Sequence, residues 1–127
     1  MPVVNEAMVT FVQVADVERA HDFYAGRLGL ELVTDQGACR IYRVADGGYL
    51  GVCSHAGPAV PEGVILTIVR NDVEAFCETL MAAGVEFESP VGHNERFGIT
   101  HAFLRDPDGH LVEIQRFDDP DWSAPLA

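Results

Sequence analysis

The sequence predicts an α+β fold made of two βαβββ modules, and three observations lead to this prediction. Residues 8–32 and 64–87 repeat one pattern: an apolar strand, Asp-Val-Glu, an amphipathic helix, a glycine and a short strand. Each copy precedes a strand pair that turns at Asp-Gly, at positions 46–47 and 108–109. The 127 residues are 48% apolar, which suits a globular domain with a hydrophobic core.

The repeat also sets the expected boundaries within one domain, residues 1–127. Module one covers about 5–54, a linker rich in small residues covers about 55–63, and module two covers about 64–117. Residues 118–127 are expected to form a C-terminal tail. Because each half is too small to bury its own sheet, we expect one curved mixed sheet. This incomplete barrel would surround a cleft, with the helices outside.

The two helices have matching start and stop signals. Asp16 and Asp72 occupy the N-cap position, where a carboxylate can accept a hydrogen bond from a free helix N–H. Gly29 and Gly84 are expected to end the helices. Apolar residues at helical spacing are Val17, Ala20, Phe23 and Tyr24 in the first helix, and Val73, Phe76, Cys77, Leu80 and Met81 in the second.

The segment FGITHAFLRDPDGHLVEIQRF (97–117) predicts a β-hairpin whose register can be derived from its turn. A three-residue loop with a bulge at Gly109 pairs Asp106 with His110. Strand alternation then divides the hairpin into two faces. One face carries His101, Phe103, Leu111, Glu113 and Gln115, and the other carries the aliphatic residues Ala102, Leu104, Val112 and Ile114. A two-residue turn would instead separate His101 from Glu113.

Alternation assigns the other strands in the same way. The inner face is expected to include Val9, Phe11 and Gln13, then Ile65, Thr67 and Val69, and finally Cys39, Ile41, Arg43, Tyr49, Gly51 and Cys53. From these we predict a ligand-binding set of Phe11, Gln13, Arg43, Tyr49, His101, Phe103, Glu113 and Gln115, with Glu113 and His101 as candidate catalytic residues. A buried carboxylate at position 113 requires a partner: Arg43, Arg105, His101 or a positive group of the ligand.

Composition narrows the classes of partner. The net charge of −12 disfavours nucleic acid. It would favour a cationic ligand, but an ordinary contribution to solubility is the favoured interpretation of the acidity. No apolar run reaches the roughly 20 residues of a membrane span. The N-terminus has no secretory pattern, so a cytoplasmic protein is expected.

The three cysteines form no CxxC pair. The register places Cys39 opposite Cys53, which allows a cross-strand disulfide or redox pair. In a reducing compartment, small buried hydrophobic residues are the favoured interpretation.

The stretches DVERAHDFYAGRLGLEL (16–32) and FLRDPDGHLVEIQRF (103–117) resemble the vicinal oxygen chelate superfamily of glyoxalases, extradiol dioxygenases and bleomycin-resistance proteins. The resemblance extends over nearly the whole chain. It implies the paired-module fold and a homodimer. It also implies, for metal-using members, four His, Glu or Gln ligands from equivalent strand positions.

The repeat places those four positions at Val9, Gly51, Ile65 and Glu113. Only Glu113 has a ligand atom, so no cofactor is expected, and Glu113 would be a ligand only if a divalent metal were bound. An improvised site using His55, His93 or His101 is the alternative; hydrogen-bonded or surface histidines are the favoured interpretation. His21 and His110 are weaker candidates.

Three functions follow from this pattern. The first is a metal-free protein that binds a small molecule, as the bleomycin-resistance branch sequesters a drug. The second is a divalent-metal-dependent lyase, isomerase or dioxygenase that uses Glu113 and His101. The third, which we rank lowest, is an interaction module without a cleft. Residues 118–122 (DDPDW) would add an aromatic wall to the cleft or belong to a solvated tail.

Overall fold

A computed structural model describes residues 4–119. Its strands are β1 (Met8–Gln13), β2 (Glu31–Asp35), β3 (Cys39–Ala45), β4 (Gly48–Cys53), β5 (Ile65–Val69), β6 (Phe87–Asn94), β7 (Ile99–Arg105) and β8 (Leu111–Phe117). Helix α1 (Val17–His21) continues as a π-helical segment (Asp22–Arg27), and α2 covers Val73–Ala82. The α+β prediction is confirmed. In the part of the chain described, no helix is long and apolar enough to span a membrane.

The strands form two separate four-stranded mixed sheets with the same topology. Their orders are β1-β4-β3-β2 and β5-β8-β7-β6. In each sheet the first and last strands of the module pair in parallel, and the remaining neighbours pair antiparallel. The chain divides into two compact units between residues 60 and 61, and each unit contains one sheet.

In module one, Asp16 caps helix α1 as predicted. Its Oδ1 accepts hydrogen bonds from the backbone N–H groups of Glu18, at 2.9 Å, and Arg19, at 3.4 Å. Gly29 follows the last helical turn with φ of 76°, a conformation that favours glycine. All four residues of the predicted apolar stripe are buried, and Tyr42, Leu50 and Val52 of β3 and β4 are buried as well.

In module two, the aliphatic face of the hairpin is the core. Ala102, Leu104, Val112 and Ile114 are fully buried, and α2 contacts both β7 and β8. Gly84 has φ of 87° just after the end of α2, as expected. Pro90 lies in the edge strand β6 near register shifts, where a missing N–H costs little.

Two helix predictions for module two were wrong in detail. Asp72 stands at the N-cap but makes no side-chain capping bond. Both of its carboxylate oxygens accept from the Arg70 guanidinium instead, at 2.7 and 3.0 Å. Met81, assigned to the apolar stripe, is 53% exposed. Most of the predicted tail lies outside the described residues.

Candidate functional site

The predicted register of the β7–β8 hairpin is confirmed. Phe103 lies opposite Glu113, and His101 lies opposite Gln115. The turn closes with the Asp106 N–H donating to the His110 carbonyl, at 3.0 Å. We call the side of the hairpin that carries His101, Phe103, Leu111, Glu113 and Gln115 the polar face.

The Glu113 carboxylate is bonded on both oxygens by side chains of its own module. Its Oε2 is 2.6 Å from His101 Nδ1, and its Oε1 accepts from the Thr67 hydroxyl at 2.7 Å. Glu113 is only 8% exposed, so these contacts supply the partners that a buried carboxylate requires. His101 was among the predicted partners, whereas Thr67 was placed on this face without a role.

The Glu113 contact leaves one ring nitrogen of His101 for a ligand. With Nδ1 used by the carboxylate, Nε2 is the ring nitrogen that remains. A neutral imidazole that donates through Nδ1 presents Nε2 as a hydrogen-bond acceptor. Phe103 packs against the imidazole in an edge-to-face arrangement, with ring centroids 5.0 Å apart.

The turn beside this hairpin contains a buried pair that the sequence did not reveal. The Asp106 carboxylate accepts from the His110 backbone N–H at 2.8 Å and lies 2.7 Å from His110 Nδ1. It also accepts from the Asp108 N–H at 3.0 Å. These bonds hold the loop that sets the β7–β8 register, so His110 is a structural residue at the end of the hairpin.

The other predicted ligand-binding residues share one side of the first sheet, which we call the module-one face: Phe11, Gln13, Arg43 and Tyr49. Phe11 lies opposite Gly51, and its ring covers the glycine so closely that a Cβ at position 51 would be 2.3 Å from Phe11 Cδ1. Phe11 is 52% exposed and therefore offers an open aromatic surface.

Two polar groups of the module-one face are held by neighbours. Arg43 donates to the Tyr49 hydroxyl at 3.0 Å, lies 5.3 Å from the Tyr49 ring centroid and bonds Glu31 at 3.4 Å. The bond to Glu31 raises the pKa of Arg43. The Gln13 side-chain oxygen accepts from the Ala56 N–H at 3.2 Å. The structure thus distributes the predicted ligand-binding set over two sheet faces, one in each module.

The remaining candidates have other contacts. Arg105, one of the partners considered for Glu113, bonds Glu88 and the Gly109 carbonyl. His93 Nδ1 is 2.9 Å from Asp118, and His21 Nδ1 is 2.8 Å from the Tyr42 hydroxyl.

Cys39 and Cys53 form a disulfide, so the preference for two separate buried hydrophobic residues was wrong. The predicted opposition of the two residues is confirmed, with a Cα–Cα distance of 4.2 Å. His55 Nδ1 lies 3.4 Å from Cys39 Sγ. Cys77 is a free, buried thiol, and burial raises its pKa to about 11.

The four positions that would hold the superfamily metal do not fit a metal ion. Val9 and Ile65 have no ligand atoms, and Gly51 lies beneath the Phe11 ring. Glu113 is the single donor among them, and its two oxygens are bonded to Thr67 and His101. A zinc site needs about four ligands and a site for a harder ion about six.

Comparisons with known proteins agree with this architecture. The model of the glyoxalase/bleomycin resistance protein/dioxygenase superfamily matches residues 5–114. No curated protein matches the chain.

Similar solved structures show the same fold. TioX from Micromonospora sp. ML1 is 22% identical with a TM-score of 0.75, covering 89% of this chain and 99% of that one. A glyoxalase/bleomycin resistance protein/dioxygenase from Nocardioides is 17% identical with a TM-score of 0.74, covering 92% and 85%. Lactoylglutathione lyase from Agrobacterium tumefaciens is 18% identical with a TM-score of 0.71, covering 87% and 92%. At these identities the likeness shows the fold alone.

Proposed function

Because the chain belongs to the glyoxalase/bleomycin resistance protein/dioxygenase superfamily, we propose that it binds a small organic molecule at the polar face, without the metal ion of the metal-using members. The observation that carries the proposal is the 2.6 Å contact between Glu113 Oε2 and His101 Nδ1. In this contact the Glu113 carboxylate orients the imidazole of His101, whose Nε2 remains for a ligand.

The chemistry of the polar face indicates the class of ligand. An acceptor nitrogen beside a carboxylate suits a ligand with an N–H or O–H donor, and it suits a cationic N–H best. Phe103 supplies an aromatic surface next to that nitrogen. The net charge of −12 would concentrate cations around the protein. A cationic aromatic compound, held or sequestered as a drug would be, combines these features.

Binding of matched naphthalene compounds tests this ligand class. We expect 1-naphthylmethylammonium to bind saturably and more tightly than 1-naphthylmethanol, and we expect added salt to weaken it. A hydrogen bond that involves a charged group contributes about 1.5–3 kcal/mol. His101→Ala should therefore weaken binding by roughly tenfold or more. Fluorescence titration of the full chain measures both dissociation constants.

The control separates the site from the overall charge. Glu113→Gln and Glu95→Gln remove the same charge, but only Glu113 contacts His101, while Glu95 is exposed in a turn. Glu113→Gln should weaken binding of the ammonium compound by roughly tenfold, and Glu95→Gln should leave it within about twofold. Equal effects of the two substitutions would contradict a site at the polar face.

A divalent-metal-dependent lyase, isomerase or dioxygenase is the second candidate. It is favoured by the same His101–Glu113 contact, because a carboxylate that fixes one imidazole nitrogen prepares the other for proton transfer. Elemental analysis of gently purified protein separates the two candidates. Stoichiometric iron, manganese, nickel or zinc that is lost in Glu113→Ala would overturn the metal-free proposal.

We also propose that the protein forms a homodimer, as the superfamily resemblance implies. Sedimentation equilibrium should give twice the 13.8 kDa chain mass. A monomer across the micromolar range would contradict this proposal.

A further inference from the structure

Two cysteines and a histidine converge at one end of the first sheet. Cys39 begins β3 and Cys53 ends β4, and the two are direct partners in the antiparallel ladder. His55 follows two residues after Cys53, and its Nδ1 is 3.4 Å from Cys39 Sγ. The two sulfurs and an imidazole nitrogen all lie within 4.8 Å of one another. No other such group of three or more is found within residues 4–119.

Hydrogen bonds to the backbone hold the segments that carry these three side chains. The Cys39 carbonyl accepts from the Gln36 N–H at 2.8 Å, and the Cys53 carbonyl accepts from the Val14 N–H at 2.9 Å. On either side of His55, the Ser54 N–H donates to Ala38 O at 2.9 Å and the Ala56 N–H donates to Gln13 Oε1 at 3.2 Å. The ligand atoms are thus brought together by structure that exists without a metal.

We propose that Cys39, Cys53 and His55 bind one Zn²⁺ ion when the cysteines are reduced, and that formation of the disulfide releases it. Two thiolates and one imidazole are ligands that zinc prefers, at about 2.3 Å for sulfur and about 2.0–2.1 Å for nitrogen. Three protein ligands leave the fourth tetrahedral position for water or for an exogenous ligand.

The switch between the two states balances in atoms and electrons. A dithiol reductant converts the Cys39–Cys53 disulfide to two thiols and becomes a disulfide itself. Zinc binding then releases one proton from each thiol. In the reverse direction, a peroxide takes one electron from each thiolate and two protons from solvent. The products are the protein disulfide, two molecules of water for hydrogen peroxide, and free Zn²⁺.

A purely structural disulfide is the competing account, and the position of His55 argues against it. A structural disulfide requires no imidazole beside its sulfur, whereas His55 is exposed in a loop and still directs Nδ1 to Cys39 Sγ. The site is also independent of the proposed function, because Glu113 and His101 belong to the other module.

Metal titration of the full chain in both redox states tests the proposal. After reduction with a phosphine under nitrogen, we expect one Co²⁺ or Zn²⁺ per chain, and Co²⁺ should give near-ultraviolet thiolate charge-transfer absorption and the visible bands of tetrahedral cobalt. Hydrogen peroxide should abolish that absorption and release one Zn²⁺ per disulfide formed, as measured with a chromogenic chelator.

Variants assign the ligands. Cys39→Ser and Cys53→Ser should each abolish the charge-transfer band or weaken binding at least 100-fold, and His55→Ala should weaken it at least tenfold. His55 is exposed, so its replacement tests the site in a folded protein. Cys77→Ala is the control for thiol content and should keep a stoichiometry of one. Reduced wild-type protein that binds no zinc at micromolar concentration, or binding that survives His55→Ala unchanged, would overturn the proposal.

Discussion

The two modules share a register but carry different chemistry at matching positions. Phe11 pairs with Gly51 in module one as Thr67 pairs with Glu113 in module two. In module one the missing side chain makes room for an aromatic ring. In module two the same pair of positions carries a hydroxyl that donates to a carboxylate.

The two modules also differ at the next pair of matching positions along these strands. Cys39 opposite Cys53 corresponds to His101 opposite Gln115. One module therefore places a disulfide where the other places an imidazole and an amide. The sides of the two sheets that form the cores are alike, because both are filled by buried apolar residues. Burial therefore constrains the residues of the core sides, while the opposite faces of the two sheets differ in their side-chain chemistry.

The largest loss of stability is expected for a substitution in the core. Two adjacent residues of β7, one in the core and one on the polar face, test this. Leu104 is fully buried, whereas Phe103 is half-buried on the polar face. Leu104→Ala should lower the free energy of unfolding by about 2–5 kcal/mol, because it deletes a core side chain. Phe103→Ala should cost less than half as much. Urea denaturation measures both, and equal losses would contradict the assignment of the two faces.

The Phe11–Gly51 contact should give the next largest effect. Gly51→Ala introduces a Cβ into the space of the Phe11 ring and should cost about 1–3 kcal/mol. In a Phe11→Ala background the ring is gone, so the same substitution should be neutral or slightly stabilising. A double-mutant cycle measured by urea denaturation tests this expectation, and an identical cost in both backgrounds would show that the ring does not require the glycine.

The smallest effect concerns acid stability in module two. Hydrogen bonds from Thr100 and Arg116 lower the pKa of Asp118. A lowered folded-state pKa contributes stability that is present above the unfolded value, about 3.9, and that is lost as pH falls through the folded pKa.

Asp118→Asn removes that titration and keeps an acceptor for Thr100. Between pH 6 and pH 3, the unfolding free energy of wild-type protein should therefore fall more than that of the variant. The difference between the two losses should be below about 1 kcal/mol, because the ion pair of Asp118 with Arg116 is partly solvated. Thermal unfolding across the pH range measures it; parallel curves would show that the contacts of Asp118 do not depend on its charge.

The sequence predicted the fold and the polar face because both depend on local rules. The Pro107-Asp108-Gly109 turn defined the register, and alternation then placed His101 and Glu113 on one side. The Thr67–Glu113 bond escaped prediction because it joins strands that are far apart in the sequence.

Other contacts were not predicted because the side chains involved have more than one possible partner or state. Asp72 can bond either the Arg70 guanidinium or the helix N–H groups, both of which are close in sequence, and the sequence does not decide between them. The sequence placed Cys39 opposite Cys53, but opposition alone does not determine oxidation state. The buried Asp106–His110 pair was hidden because Asp106 and His110 look like ordinary residues flanking a turn.

Nitrogen NMR of the His101 imidazole tests whether Glu113 holds Nδ1 and leaves Nε2 for a ligand at the polar face. Titration with 1-naphthylmethylammonium should shift the His101 Nε2 resonance until it saturates, with the dissociation constant found by fluorescence, and Glu113→Gln should weaken that response. Saturable binding that leaves both His101 nitrogens unchanged would contradict the account.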